Sequence, residues 1–222
     1  MVPTPGVLAL LVLLGGVVAV DGTSLGQFMV SRPVVAATLA GCIAGNPEHG
    51  VLVGLFMEAF HLTVLPVGAA RYPEGGPTAV AAAGAYAGTS HSFSALLVVL
   101  IVALVWERLG GATVQRMRHY NVRLSPPPGA EQLRGGLLAR RHLLAVGVDF
   151  ARGAALAGAG TVLMGALLTH GMFLLPHGSV ARLALGAVLA ASLAASLRLF
   201  GLARLPLFLA GAGVGALLLW LA

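Results

Sequence analysis

Charged residues are scarce along this chain, and the intervals between them outline its elements. Stretches free of Asp, Glu and Arg include Val2–Val20, Pro33–Pro47, His49–Met57, Ala59–Ala70, Gly75–Trp106, Gly153–Ala181, Leu183–Leu197 and Leu205–Ala222. A helix that crosses a bilayer needs about 20 apolar residues. Val2–Val20, Gly75–Trp106 and Gly153–Ala181 meet that length outright. Leu183–Leu197 and Leu205–Ala222 reach it by borrowing residues at their ends, where Arg can snorkel to the interface. Residues 143–152 continue the helix predicted from Gly153 toward one surface. The pattern predicts an all-α polytopic membrane protein of about six to eight transmembrane or re-entrant helices.

Residues 21–74 read differently. Pro33–Pro47 is too short to span comfortably, and Gly45-Asn46-Pro47 stops it. His49–Ala70 is long enough but carries Glu58 near its middle, and Pro66-Val67-Gly68 breaks its end. Short, Gly/Pro-broken apolar segments signal discontinuous helices lining a binding site. Two ordinary short helices joined by a surface loop would give the same pattern. The expectation is discontinuous segments between residues 26 and 74.

Orientation follows from the interval 107–142. It holds seven Arg, from Arg108 to Arg141, against Glu107 and Glu131, and Pro126-Pro127-Pro128 interrupts it. The positive-inside rule makes this segment cytoplasmic. The turn around Pro176–Gly178 is then outside, Arg198 and Arg204 return to the cytoplasmic side, and Ala222 is outside. The chain divides into an N-terminal membrane half (1–106), an Arg-rich cytoplasmic loop (107–142) and a C-terminal membrane half (143–222). Val2–Val20 has no basic residues before it and no small-x-small cleavage site before Asp21, so a retained first helix is expected rather than a signal peptide. Gly41/Gly45, Gly50/Gly54, Gly84/Gly88 and Gly211/Gly215 have the spacing that lets helix backbones approach closely in lipid.

Composition narrows the class further. Apolar residues make up 58% of the 222 and charged residues 9%, against about 25% charged in a typical soluble domain. That excludes a soluble enzyme and a disordered linker. The net charge of +6 comes entirely from Arg, since the chain has no Lys. Its concentration in one segment points to membrane orientation, not nucleic acid. Cys42 is the single cysteine and can form no internal disulfide. No P-loop, CxxC or HExxH motif is present, and no cofactor or metal site is expected. His91 between Ser90 and Ser92 lacks the Gly-x-Ser-x-Gly elbow of a serine hydrolase.

Ionisable residues at hydrocarbon depth are costly to insert and usually functional. Glu58 is the clearest, with His61 three residues on and on the same helix face. Together they could hydrogen-bond a polar substrate. Glu58 could equally pair with an Arg elsewhere in the bundle, or stay protonated by burial. Asp21, Gln27, Ser31 and Arg32 form a polar, glycine-rich approach to the Pro33 helix. Amides, hydroxyls and carboxylates suit the hydroxyls of a sugar, and they also serve as plain caps and turns. Arg71, Tyr72, Pro73 and Glu74 could close the other side of a cavity or form an interfacial loop. Asp149 and Arg152, three apart, are expected to form a structural ion pair.

Gly26-Gln27-Phe28-Met29-Val30-Ser31-Arg32-Pro33 resembles the N-terminal signature of the IIC membrane subunits of mannose/sorbose-type sugar phosphotransferase systems (PTS). The succession continues with Gly45-Asn46-Pro47, with Gly50-Val51-Leu52-Val53-Gly54 leading to Met57-Glu58, and with Leu65-Pro66-Val67-Gly68-Ala69-Ala70 before Pro73-Glu74. Arg141-His142-Leu143-Leu144 and Asp149-Phe150-Ala151-Arg152-Gly153 resemble the family's block after the cytoplasmic loop. The resemblance covers roughly residues 1–165. Tyr72-Pro73-Glu74-Gly75-Gly76 replaces a more usual Pro-Pro-Asp-like run, and His61 stands where a large apolar residue is usual.

The resemblance implies a permease subunit in a bacterial inner membrane, not an enzyme. It would translocate a hexose or hexosamine that a separate IIB subunit phosphorylates, IIB being charged in turn by IIA. It implies a IID-like membrane partner and a trimer of IIC–IID pairs. The substrate-binding residues it implies are Gln27, Ser31, Arg32, Glu58 and Glu74, with Asp21 and His61. The rival expectation is a non-transporting anchor or regulatory subunit of an incomplete phosphotransferase system.

Overall fold

The computed structural model describes residues 3–64, 72–89, 92–125, 135–171 and 177–221. Pro66–Gly68, Arg71, Ser90, His91, Pro126–Pro128, Glu131, Arg134 and Pro176, all singled out in the sequence, lie outside them. The described residues form eight α-helices, one short 3-10 turn and no strand. The helices are α1 (Pro5–Thr23), α2 (Pro33–Ile43), α3 (Pro47–His61), α4 (Gly75–Ala87), α5 (Phe93–Leu124), α6 (Gly135–His170), α7 (Gly178–Phe200) and α8 (Leu205–Leu221). This is the all-helical membrane architecture expected from the sequence. Among the described residues, four helices are long and apolar enough to cross a bilayer: α1, α5, α6 and α7.

Proline starts α1, α2 and α3, at a position where its missing N–H would have had no helical partner anyway. Gly45, at φ 79°, turns the chain between α2 and α3, a backbone state that only glycine reaches without steric penalty. With 11, 15 and 13 residues, α2, α3 and α4 are each shorter than the roughly 30 Å hydrocarbon layer at 1.5 Å per residue. The broken-helix reading of residues 26–74 therefore extends one helix further along the chain.

One expectation is corrected. The uninterrupted apolar stretch Gly75–Trp106 is not a single span. It divides after Ala87, where α4 ends on Gly88. α5 restarts under an N-cap in which the Ser92 hydroxyl accepts from the Ala95 N–H at 3.1 Å. No charge marks the break. Every residue of α4 is buried, so the apolar character of this helix serves the protein interior and not lipid. Residues 107–124 and 135–142, within the segment expected to be an Arg-rich loop, belong to α5 and α6. Hydrophobicity marks where a helix leaves the hydrocarbon, not where it ends.

α6 runs antiparallel to both α1 and α5. A Cβ on Gly153 would meet the Gly15 carbonyl oxygen at 2.7 Å, and one on Gly16 would meet the Phe150 ring at 2.6 Å. Trp106 Nε1 donates to the Leu156 carbonyl at 3.1 Å, while Arg141 reaches the Leu124 carbonyl at 3.4 Å. α2 and α3 close on Gly41 and Gly50: a Cβ on Gly41 would lie 2.7 Å from the Gly50 Cα. α4 sits in the centre, with Leu11 of α1 and Thr161 of α6 against Gly84. Three of the four glycine pairs thus include a close approach. The fourth, Gly211/Gly215 on α8, has open space around it among the described residues.

Candidate functional site

The 24–32 connection after α1 is built around Asp21. Its carboxylate is buried and accepts from the Phe28 N–H at 2.7 Å and the Ser31 N–H at 2.9 Å. Gln27 and Met29 are held at φ 55° and 65°, the left-handed region that residues other than glycine rarely occupy. The Asp21 bonds tether that conformation and deliver Ser31 and Arg32 to the N-terminus of α2.

Opposite them, residues 72–74 lead into the N-terminus of α4. The Glu74 N–H donates to the Glu107 carbonyl of α5 at 3.0 Å. Tyr72 lies under the Arg118 guanidinium, 5.5 Å from the ring centroid. His61, at the end of α3, packs its imidazole against Gly75, where a side chain would collide with the ring.

A cavity of about 150 Å³ opens between these ends. Ser31 and Arg32 line it from the start of α2, His61 from the end of α3, and Glu74, Gly75 and Gly76 from the start of α4. Two broken helices therefore turn their N-termini, each with a partial positive charge, toward one space. Gly75 and Gly76 let His61 and Ser31 pack directly against the start of α4. A Cβ on Gly76 would approach the Ser31 carbonyl to 2.7 Å.

Three polar side chains on the cavity wall, Arg32, His61 and Glu74, are each held by a residue behind them. Arg32 forms an ion pair with Glu58, which also accepts from the Val34 N–H at 3.3 Å. His61 Nε2 bonds Glu107 at 2.8 Å, both groups being nearly buried. Glu74 takes both guanidinium nitrogens of Arg152, Nη2 at 2.6 Å. Arg152 also reaches Asp149 at 2.7 Å and Thr113 at 3.2 Å. Asp149 is fully buried, and its second oxygen accepts from the Thr23 and Ser24 hydroxyls. The result is a rigid set of donors and acceptors around a small space, as a polar ligand requires.

Of the seven residues singled out in the sequence, four line the cavity: Ser31, Arg32, His61 and Glu74. Glu58 stands behind Arg32, and Asp21 stands behind Ser31. Gln27 is exposed and away from the cavity wall. Asp149 and Arg152 do pair, but their partner set includes Glu74, 78 residues away in sequence. Glu107 and Thr113 were not singled out as binding residues, whereas Tyr72 and Pro73, read in the sequence as able to close the other side of a cavity, line it beside Glu74. A signal for Glu107 and Arg152 was present, since both directly flank an uninterrupted apolar stretch. Among the described residues no cluster of His, Cys, Asp and Glu could hold a metal ion.

Comparison with known proteins gives three findings. The family described as the PTS system sorbose-specific IIC component matches residues 7–117, half of the 222-residue chain. The PTS system sorbose-specific EIIC component of Lacticaseibacillus casei is 34% identical over 53 residues, 24% of this chain. That match spans 19% of the relative's length. A solved structure described only as a membrane protein superposes with a TM-score of 0.77 at 18% identity, over 96% of this chain and 87% of that one. A chain from the cryo-electron microscopy structure of the mannose transporter ManYZ with microcin E492 gives a TM-score of 0.55 at 16% identity, over 97% and 88%. At these identities the structural likenesses show the fold alone.

Proposed function

Because this chain belongs to the sorbose-specific IIC family of phosphotransferase systems, we propose that it is the subunit through which a hexose or hexosamine crosses the bacterial inner membrane. The observation that carries this reading is the cavity where the ends of α2, α3 and α4 gather Ser31, Arg32, His61 and Glu74. Discontinuous helices whose N-termini face one space form the substrate sites of many secondary transporters. Sugar hydroxyls both donate and accept, and the wall offers both kinds of group. Glu58 acts by holding Arg32, and Asp21 by shaping the loop that carries Ser31.

Depth supports the same reading. With Arg140 and Arg141 at the cytoplasmic headgroups, Arg152 lies about 18 Å deeper along α6 at 1.5 Å per residue, close to the bilayer centre. In this proposal the N-terminal half, residues 1–106, carries the sugar site. The Arg-rich segment 107–142 faces the cytoplasm, and residues 143–222 complete the membrane body. The chain brings no phosphoryl chemistry of its own. A IIB subunit, recharged by IIA, phosphorylates the sugar, and a IID-like subunit pairs with this one in a trimer of pairs. The fold likeness to a chain of the mannose transporter ManYZ supports the membrane pairing.

The test is uptake and binding of labelled hexoses in cells expressing the complete set of subunits. Ser31→Ala removes one hydroxyl from the wall and should weaken binding roughly two- to twelvefold, the weight of one hydrogen bond. Arg32→Gln should weaken it at least as much. Unchanged affinity in both variants moves the site elsewhere. Sugar binding without uptake in the intact system would favour the non-transporting anchor.

A further inference from the structure

A second concavity lies on the outer side of the same loop and belongs to a different chemistry. It is a groove of about 480 Å³ between α1 and α6. Val17 and Val20 of α1, Leu25 and Phe28 of the following loop, and Leu143 and Phe150 of α6 line it. The only acid among its described lining residues is Asp21, whose two oxygens are turned to backbone N–H groups of the loop. Phe28 is 82% exposed and Leu143 69%, more than residues closing an interior would be. Gly147 also lines it, and a Cβ added there would meet nothing within 4 Å.

Helical register places a cation at one end. Arg140, Leu143, Gly147 and Phe150 follow at intervals of three, four and three residues, one stripe of α6. Arg141 is turned toward the end of α5, at the Leu124 carbonyl. Arg140 is exposed and has no carboxylate partner among the described residues. From Arg140 to Phe150 the helix rises about 15 Å, which is the depth of one leaflet of a roughly 30 Å hydrocarbon core.

We infer that this groove is a binding site for one anionic phospholipid of the cytoplasmic leaflet. Arg140 meets the headgroup phosphate and an acyl chain fills the stripe down to Phe150. Charge complementarity at one end and an apolar wall one leaflet long select this occupant over a soluble peptide. The loop that shapes the groove also presents Ser31 and Arg32 to the cavity, so the lipid would brace the wall of the sugar site from outside.

The experiment uses the full chain in nanodiscs and in mild detergent, with phosphatidylglycerol and phosphatidylcholine as probes and native mass spectrometry as the readout. The native chain should retain one phosphatidylglycerol in preference to phosphatidylcholine. Arg140→Gln should lower that preference about fivefold, the weight of one Arg beside an anionic lipid. Gly147→Phe fills the groove at a position with free space and should abolish retention of both lipids, with an unchanged elution volume showing that the fold survives. Arg204→Gln, an exposed Arg remote in sequence, should change neither. Equal retention by the Gly147→Phe and native chains would overturn the site, and an unchanged preference in Arg140→Gln would overturn the headgroup assignment. Replacing Leu143 by a photocrosslinking amino acid in cell membranes separates the occupants. A lipid adduct supports the inference, and a protein adduct shows that a partner's helix fills the groove instead.

Discussion

At the scale of single residues, Glu58 shows how a buried acid can matter without touching a ligand. Its carboxylate is shared between Arg32 and the Val34 N–H, so its influence on the cavity passes through Arg32. That has a definite signature in a double-mutant cycle. Arg32→Gln and Glu58→Gln should each weaken sugar binding, while the double variant should be no worse than Arg32→Gln alone. The coupling should lie within the ~0.5–3 kcal/mol seen for residues in contact. Additive losses would mean that Glu58 meets the sugar itself. Arg152 is the opposite case, one guanidinium between two acids. Arg152→Gln leaves Glu74 and Asp149 buried without their cation and should cost about 3–5 kcal/mol of stability. Adding Glu74→Gln should recover part of that loss, read as the thermal midpoint in mild detergent. The Asp149–Arg152 pair was expected from its spacing, but the long-range pairings were invisible in the sequence for a plain reason. His61 and Glu107 are 46 residues apart and Arg152 and Glu74 are 78 apart. Only the packing of the assembled helices brings them together.

At the scale of elements, glycine decides how near two helices come. Gly41 and Gly50 let α2 and α3 touch at backbone distance, so Gly50→Ala drives a methyl group into the Ala37 carbonyl. Overpacking of this kind typically costs about 1–3 kcal/mol. Gly211→Ala on α8, with open space around it, should leave the melting midpoint where it is. Equal effects from the two would show that α8 is as closely packed as the α2–α3 hairpin. The helices of the first third were legible because Pro33, Gly45 and Pro47 mark their ends in any context. The break between α4 and α5 was not. Its punctuation is a short run of small polar residues, Gly88, Thr89 and Ser92 among them, within an interval that hydropathy reads as continuous. α4 was misjudged because burial in protein and burial in lipid ask for the same apolar composition.

At the scale of the whole molecule, the arginines orient the bundle. Ser125, just after α5, should be cytoplasmic, and Ser179, in the first turn of α7, should face outside. On a Cys42→Ser background, Ser125→Cys should resist an impermeant thiol reagent added to intact cells, and Ser179→Cys should react. The reverse pattern would invert the molecule, and with it the leaflet of the groove between α1 and α6.

The burial of α4 has a consequence for how the chain is made. At 13 residues it is about 20 Å long, too short to cross the bilayer by itself, and it has no face left over for lipid. Membrane insertion one helix at a time therefore offers it no stable resting place. Its walls include α1 and α2, which are synthesised before it, and α6, which is completed only at His170. At roughly 5–20 residues per second, the ribosome leaves α4 without its last wall for on the order of ten seconds. The central helix of the finished bundle is then among the last to settle, and Glu74, on the wall of the cavity at its N-terminus, waits for its partner Arg152 until the second half of the chain arrives.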